Sequence, residues 1–195
     1  MPAHGYDTYD EDQLIALVKT GDHEAFSVIV KTYKERVFNT ALRFLKNYAI
    51  AEELTQDVFI TVYEKIGDFK GESKFSTWLY RVTINHAKNR IGYLSRRAYF
   101  KNEELSDYIK VDTTRMTTRP RSNPSDHLEE KQLIEILHRQ LLKLKNRDRE
   151  IIILKDFEDH SYEEIARILR IELGTVKSRL SRARRNLKDL MKDYI

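Results

Sequence analysis

The chain has 195 residues, enough for one ordinary domain or two small ones, with a formal net charge of +4 and a hydrophobic fraction of 41% that allows a buried core. The absence of cysteine excludes a disulfide framework and thiolate metal sites, and it fits a reducing cytoplasm. No run reaches the roughly 18 apolar residues of a membrane span, and the acidic start MPAHGYDTYDED is not a secretory signal. With only six Gly and three Pro, we expect an all-α, cytoplasmic protein.

Helical spacing runs through the first hundred residues. No Gly or Pro occurs from Asp22 to Ile66, and Gly21 with Asp22 predicts the end of one helix and the start of the next. Asn47 is a candidate cap for a third helix, AEELTQDVFITVYEKI. The loop GDFKGESK separates this helix from a fourth, FSTWLYRVTINHAKNRIGYLSRR. These elements predict a first domain over residues 1–100.

Beyond this domain the periodicity fades and then returns. Residues 101–128 contain the polar segment DTTRMTTRPRSNPSD, which is typical of an extended linker. Three further helical segments follow: HLEEKQLIEILHRQLLKL, NRDREIIILKDF and HSYEEIARIL. They predict a second helical domain over residues 129–195.

The segment SYEEIARILRIELGTVKSRLSRAR has the pattern of a helix-turn-helix. Ser161 with Glu164 forms a candidate capping box, and small Ala166 permits a close helix crossing. The turn carries Arg170 where many such turns carry glycine, and a second helix is expected to begin near Glu172. Ile165, Ala166 and Leu169 are expected to face the interior of the domain.

The second helix of this motif has one apolar face and a basic remainder. Val176, Leu180, Ala183 and Leu187 are spaced four, three and four residues apart. A helix that packs by one face and enters a DNA major groove with another would have this pattern. A solvated basic helix is the alternative, but the capping box, turn and spacing together favour DNA binding. The expected DNA contacts are Lys177, Ser178, Arg179, Ser181, Arg182, Arg184 and Arg185.

A second basic stretch lies in the first domain. From Ser73 to Asn102 there is no acidic residue, while seven Lys or Arg and six aromatic residues alternate. Rings stack on unpaired bases and cations follow a phosphate backbone, and Asn85 with Asn89 could read base edges. The alternative is that the rings form a core, which we expect for Trp78 and Leu79.

The preceding helix is acidic. Its carboxylates and those of the following loop are Glu52, Glu53, Asp57, Glu64, Asp68 and Glu72, and an apolar stripe comprises Leu54, Val58, Phe59 and Val62. Acidic groups beside exposed apolar groups would suit a basic protein partner. An ordinary solvated helix face is the alternative, and the pattern alone leaves both open.

The order of these parts resembles the extracytoplasmic-function (ECF) sigma factors of bacteria. The resemblance rests on AEELTQDVFITVYEKIGDFKGESKFSTWLYRVTINHAKNRI and LLKLKNRDREIIILKDFEDHSYEEIARILRIELGTVKSRLSRARRNLK, and it covers about Asp12 to Leu190. It implies that the first domain is similar to sigma region 2 and the second to sigma region 4. Lys177 replaces an Arg often seen in the family, which keeps the charge but loses the bidentate fork.

The resemblance also implies sites and partners. The acidic helix would bind the clamp helices of the largest RNA polymerase subunit through Glu53, Gln56, Asp57, Phe59 and Tyr63. The melted −10 promoter element would contact Ser73, Lys74, Phe75, Arg81, Asn85, Lys88 and Asn89. The helix-turn-helix would read the −35 element as duplex, with its domain on the flap of the second-largest subunit. An anti-sigma factor is a further expected partner.

Two other classes of function are weighed against this one. A stand-alone transcriptional regulator would need a ligand pocket or receiver domain, and the first hundred residues show neither pattern. An enzyme acting on nucleic acid would need a phosphate loop or paired metal ligands, whereas the six His are scattered. We therefore expect no catalysis, no metal or other cofactor, and no small-molecule substrate.

Overall fold

A computed structural model describes residues 9–101 and 124–194, with the backbone alone for residues 124–131. Its described part consists of helices joined by short loops. They are α1 (Glu11–Lys19), α2 (His23–Leu45), α3 (Tyr48–Lys65), a 3₁₀ turn (Ile66–Asp68), α4 (Phe75–Phe100), α5 (Pro124–Lys143), α6 (Asn146–Ile152), a π-helical turn (Ile153–Phe157), α7 (Tyr162–Leu169) and α8 (Leu173–Met191). We call α1–α4 the N-terminal bundle and α5–α8 the C-terminal bundle.

Side-chain caps set the starts of α2 and α3. Asp22 accepts a hydrogen bond from the Ala25 N–H at 3.0 Å, and Asn47 accepts one from Ile50 at 3.0 Å. Each cap satisfies one of the backbone donors that a helix N-terminus leaves unpaired. Gly21 turns the chain with a φ of 94°, which a side chain would oppose. The helix boundaries predicted at Gly21–Asp22 and at Asn47 are confirmed.

The N-terminal bundle buries one apolar face of each helix around a shared core. Ile29, Val58, Leu79 and Ile84 are all buried in it, so α2, α3 and α4 enclose a common centre. Leu79 is therefore core, as predicted, while Trp78 is partly buried and lies 5.6 Å from the Phe69 ring. Burial of these side chains is the main favourable contribution to the fold.

The C-terminal bundle contains a buried arginine that closes a helix end. Arg149 donates to the backbone oxygens of Leu141 at 2.7 Å and Leu144 at 2.9 Å, and also to that of Leu142. Two carbonyl groups in the last turn of α5, and that of Leu144 just beyond it, thereby gain a hydrogen-bond donor. Burial lowers the pKa of Arg149 to about 10. Helix α5 itself begins at Pro124, within the predicted 101–128 linker; most of that linker lies outside the described residues.

The helix-turn-helix forms as predicted, with one change in its inward face. Ser161 and Glu164 make the reciprocal capping box, at 3.1 and 2.9 Å. Arg170 adopts the left-handed conformation, with a φ of 54°, that favours glycine at this turn. Ile165 is buried as expected, but Ile168 is buried rather than Leu169, which is half-buried. The short helix α7 is rotated slightly from the orientation that the sequence predicted.

The two bundles pack against each other along a seam. Helix α4 lies against α7, and the end of α2 lies against the π-helical turn of the C-terminal bundle. In the described part of the chain, no helix combines the length and apolar character that a membrane crossing requires.

Candidate nucleic-acid interface

Helix α8 presents a continuous polar and basic surface. Val176, Leu180 and Ala183 are buried, Leu187 is half-buried, and these side chains hold the helix against the bundle. Of the seven predicted DNA contacts, six are exposed: Lys177, Ser178, Ser181, Arg182, Arg184 and Arg185. Arginine guanidinium groups on such a face can bind phosphates or guanine edges.

Two arginines of α8 are engaged within the protein. Arg179 lies 3.6 Å from Glu150, and its side chain is largely buried. Arg184 forms a two-pronged ion pair with Asp156, and this contact raises the Arg184 pKa. Arg179 was expected among the DNA contacts, but its position lies beside the buried face of α8, where Glu150 of α6 supplies a carboxylate. In this conformation Arg179 contacts Glu150 rather than lying on the exposed surface of α8.

A second polar surface lies on α4 and the loop before it. Lys74, Asn85 and Asn89 are exposed, Ser73 is partly exposed, and Arg81 and Lys88 are half-buried against the C-terminal bundle. We call Arg81, Asn85, Lys88 and Asn89 the α4 surface. Arg81, Asn85 and Lys88 recur every three or four residues and line one cleft, whereas Asn89 follows Lys88 directly and lines the neighbouring groove with Asp57 and Arg90.

Phe75 does not belong to this surface. Its side chain is 2% exposed and contacts the rings of Tyr33, Phe69 and Trp78 at centroid distances of 5.5–5.7 Å. The prediction that Phe75 contacts DNA is wrong for this structure, because the first residue of α4 anchors the helix in the core. Some aromatic residues between Ser73 and Asn102 therefore belong to the core, and only the others can contact a partner.

The surface rings lie towards the end of α4. Tyr93, Tyr99 and Phe100 are exposed, and Arg97 donates to the Tyr93 hydroxyl at 3.0 Å. The Arg97 guanidinium also lies 5.6 Å from the Tyr93 ring centroid, within cation–π range. Exposed rings with adjacent cations match the composition of single-strand binding surfaces.

Helix α3 carries the predicted polymerase contacts, which differ in their exposure and in their partners. Glu53 and Gln56 are exposed; Asp57 is half-buried and lies 3.2 Å from Arg90, which also contacts Glu53 at 2.9 Å. Tyr63 is partly exposed and stacks on His23 at 5.4 Å. The acidic groups are therefore held in place by a cation of α4.

The apolar stripe of α3 is core. Leu54, Val58, Phe59 and Val62 are all buried, so the prediction of a direct Phe59 contact and of an exposed apolar stripe is wrong. Their period of three and four residues placed them on one face, and that face meets α2 and α4. The exposed apolar residue is Ile60, at 58%, which the sequence reasoning missed. Its signal was an isoleucine outside the stripe, one helical turn from Asp57 on one side and from Glu64 on the other.

Nothing in residues 9–101 and 124–194 assembles a metal site: these residues contain no cluster of three or more His, Asp or Glu side chains with suitable geometry. His86 is instead bonded to Thr61 at 3.0 Å, and burial lowers its pKa.

Comparison with known proteins assigns the two bundles to families. The Sigma-70 region 2 family matches residues 29–97, and the Sigma-70, region 4 family matches residues 134–187. The first match includes the α4 surface and the acidic face of α3. The second includes the whole helix-turn-helix.

Relatives match over most of their length. The ECF RNA polymerase sigma factor SigW of Bacillus subtilis is 34% identical over 179 residues, covering 92% of this chain and 95% of that protein. The RNA polymerase sigma-H factor of Pseudomonas aeruginosa is 32% identical over 180 residues, covering 91% and 92%. The ECF RNA polymerase sigma-E factor of Escherichia coli K12 is 31% identical over 186 residues, covering 93% and 94%.

Solved structures share the fold. CnrH in complex with the cytosolic domain of CnrY has a TM-score of 0.63 at 21% identity, covering 93% of this chain and 97% of that one. The sigma factor RpoE of Bartonella quintana, in complex with the anti-sigma factor NepR, has a TM-score of 0.63 at 23% identity, covering 87% and 98%. Family matches to both bundles and relatives above 30% identity agree, and the chain belongs to the ECF group of the sigma-70 family, the factors that give RNA polymerase its promoter recognition.

Proposed function

We propose that this sigma factor recruits core RNA polymerase to promoters by reading the −35 element with α8 and holding the melted −10 element on the α4 surface. The observation that carries the proposal is the presence of two separate cation-rich surfaces, one in each family-matched bundle. A protein that bound a single duplex site would need only the helix-turn-helix.

The −35 contact would use the exposed face of α8. Arg182 is exposed at the middle of the helix, where a major groove would approach most closely. Lys177, Arg184 and Arg185 would add phosphate contacts, whose contribution falls with rising salt. Arg184 would have to exchange Asp156 for a phosphate, which costs little because both side chains of the pair reach solvent.

The −10 contact would use single-stranded DNA. Asn85 and Asn89 offer both donors and acceptors to a base edge, and Lys88 offers a cation to the backbone. The exposed rings at the end of α4 would extend this surface by stacking. Unpairing a promoter costs free energy, so melting requires that these contacts favour the open strand over the duplex.

Polymerase would bind the acidic face of α3. Glu53, Gln56 and Asp57 lie on this face, and Ile60 adds an exposed apolar group at its edge. An apolar residue beside acidic groups suits a basic partner surface such as the clamp helices of the largest subunit. The C-terminal bundle would contact the flap of the second-largest subunit.

The proposal also covers the regulation, location and domain limits of the protein. An anti-sigma factor would bind the chain and block polymerase, the protein would act in the cytoplasm, and it would perform no chemical step itself. The domain limits 1–100, 101–128 and 129–195 would describe a region 2, a linker and a region 4.

Two assays test the proposal. Gel filtration with purified core polymerase should yield a stable complex, and run-off transcription on a randomised promoter library should select templates with two fixed elements at a fixed spacing. Potassium permanganate should detect unpaired thymines at the −10 element only when both proteins are present. Tight operator binding by the chain alone, with no complex and no selected −10 element, would contradict the proposal.

A further inference from the structure

The loop that precedes α4 lies at one end of the α4 surface. We call its residues 69–74 the entry loop. Lys74 of this loop is the N-cap residue of α4. The residues that follow Lys74 at steps of three or four positions are Trp78, Arg81, Asn85 and Lys88. Residues at these steps share one side of a helix, so the entry loop and the α4 surface are continuous.

The exposed part of the entry loop has little to fix its backbone. Residues 70–74 are exposed or partly exposed, whereas Phe69 is 5% exposed. Gly71 has a φ of 74°, which glycine adopts without strain, and the space that a side chain would fill there is open. The position of the loop therefore depends on the start of α4 at one end and on the contacts of Phe69 at the other.

Phe69 is held by its ring and by its carbonyl oxygen. The ring centroid lies 5.6 Å from that of Phe75 and 5.6 Å from that of Trp78. Lys19, the last residue of α1, donates from Nζ to the Phe69 carbonyl oxygen at 2.6 Å. The same Nζ lies 5.8 Å from the Phe69 ring centroid, within cation–π range. One side chain thus contacts both the backbone and the ring of Phe69.

Lys19 reaches the entry loop from a helix that is itself fixed in the N-terminal bundle. Tyr33 of α2 donates to the carboxylate of Glu11, the first residue of α1, and its ring lies 5.5 Å from that of Phe75. A lysine in the last turn of a helix can stabilise that helix alone, by opposing its dipole. The Lys19 ammonium instead bonds to a carbonyl 50 residues further along the chain.

We propose that Lys19 is a positioning residue for the −10 contact, which holds the entry loop where Ser73 and Lys74 can meet a promoter base. This inference rests on the proposed function, which supplies the DNA. Lys19 contacts no base and acts through Phe69. Its loss leaves the DNA-contacting side chains in the protein but frees the loop that carries two of them. Discrimination between bases should therefore fall while polymerase binding is kept.

Three full-length variants separate this role from a general effect of charge. Lys19→Met removes the donor and the cation but keeps an unbranched side chain. Lys19→Arg keeps both a donor for the Phe69 carbonyl and a cation near its ring. Lys34→Met is the matched control, since it makes the same charge change at an exposed residue of α2.

The single tryptophan of the chain supplies a readout that needs neither DNA nor polymerase. Trp78 is that tryptophan, and its ring lies against Phe69. Quenching of its fluorescence by acrylamide therefore reports how well Phe69 and the entry loop are packed.

The second readout is base choice. Run-off transcription with core polymerase is measured on templates that differ only in one −10 base pair at a time, and the ratio between the preferred base and the next is taken at each position. Gel filtration with core polymerase measures complex formation in parallel.

We expect Lys19→Met to increase the quenching of Trp78 and to lower base discrimination at one or more −10 positions by at least about threefold, within the range for loss of one hydrogen bond. Its binding to core polymerase should match that of the wild type. Lys19→Arg and Lys34→Met should behave like the wild type in both readouts.

A uniform loss of transcription on every template, with the ratios between bases unchanged, would make Lys19 a structural residue only and overturn the inference. Unchanged quenching of Trp78, a Lys19→Arg variant as impaired as Lys19→Met, or an equal effect of Lys34→Met would overturn it as well. Failure of the proposed function is seen separately, as a wild type without core-dependent transcription or without −10 base choice, even if Trp78 responds to Lys19→Met. The inference would then fall with the proposed function.

Discussion

Replacing Lys46 by Met should raise the free energy of unfolding at neutral pH. Lys46 ends α2 with a φ of 54°, and its side chain reaches the seam, where it is 1% exposed. None of the ion pairs found among the described residues includes it. Met keeps the unbranched stem that packs against Phe157 and removes the charge, while the strained backbone conformation costs about the same for either residue.

The magnitude follows from the cost of burying an ammonium group. Burial, with Arg43 and Arg149 nearby, lowers the pKa of Lys46 from 10.5 to about 7. At about 1.4 kcal/mol for each tenfold change in the protonation equilibrium, this opposes folding by about 4 kcal/mol at pH 7. Loss of the contact with the Phe157 ring returns about 1–2 kcal/mol. We expect a net gain of about 2–3 kcal/mol for Lys46→Met.

The sign of the pH dependence is fixed by the same shift. A lysine with a lowered pKa in the folded state imposes no cost above pH 10.5, and the cost grows as the pH falls to about 7. Nearby His138, whose pKa burial lowers to about 3, stays neutral over this window. The stability advantage of Lys46→Met over the wild type should therefore be largest at pH 7 and narrow steadily towards about pH 9.5.

Urea denaturation followed by helical circular dichroism measures both effects on the full chain. Lys31→Met, at an exposed position of the same helix, is the control and should show no pH-dependent difference from the wild type. Equal stability of Lys46→Met and wild type, or a gap that does not change with pH, would refute the reasoning. Either result would mean that Lys46 reaches water in the folded protein.

Two further predictions address the helix-turn-helix and the α4 surface. Ser161→Ala removes the capping box of α7 and should lower stability by about 1 kcal/mol in thermal or urea denaturation. Asn85→Ala should weaken the permanganate signal of the open complex and relax base choice at one −10 position, without loss of core polymerase binding, because Asn85 is exposed and lies away from α3.

Each of these has a control and a contradicting result. Ser27→Ala removes an exposed hydroxyl from the middle of α2 and should leave the free energy of unfolding within about 0.5 kcal/mol of the wild type. An equal loss of stability in both serine variants would show that the Ser161 cap contributes no more than an ordinary surface hydroxyl. An unaltered footprint and base preference for Asn85→Ala would exclude Asn85 from the −10 contact.

Local rules account for what the sequence predicted well. Asp22, Asn47 and Ser161 each bond to the backbone three residues ahead, so a short segment contains the whole cause of the helix start. The inward face of α8 was predicted for a similar reason, since Val176, Leu180 and Ala183 recur at the helical period. These features need no knowledge of distant residues.

Faces that meet the core and faces that meet a partner look alike in the sequence. Phe59 and Phe75 were expected at binding surfaces, yet both are buried, because an apolar period does not say what covers it. The seam was not predictable either. Arg43 and Glu158 are 115 residues apart, and an ion pair between isolated charges leaves no periodic signal.

The claim that α8 reads the −35 element is tested most directly by run-off transcription with core polymerase on a selected promoter, with two proteins and two templates compared in all four combinations. Wild type and Arg182→Ala are compared on templates with an intact and a scrambled −35 element. We expect transcription with Arg182→Ala to fall on the intact template, by the equivalent of about 1–3 kcal/mol of promoter binding, and to change little on the scrambled one, because Arg182 lies on the exposed face of α8. An equal loss on both templates, or transcription that needs no added chain, would contradict it.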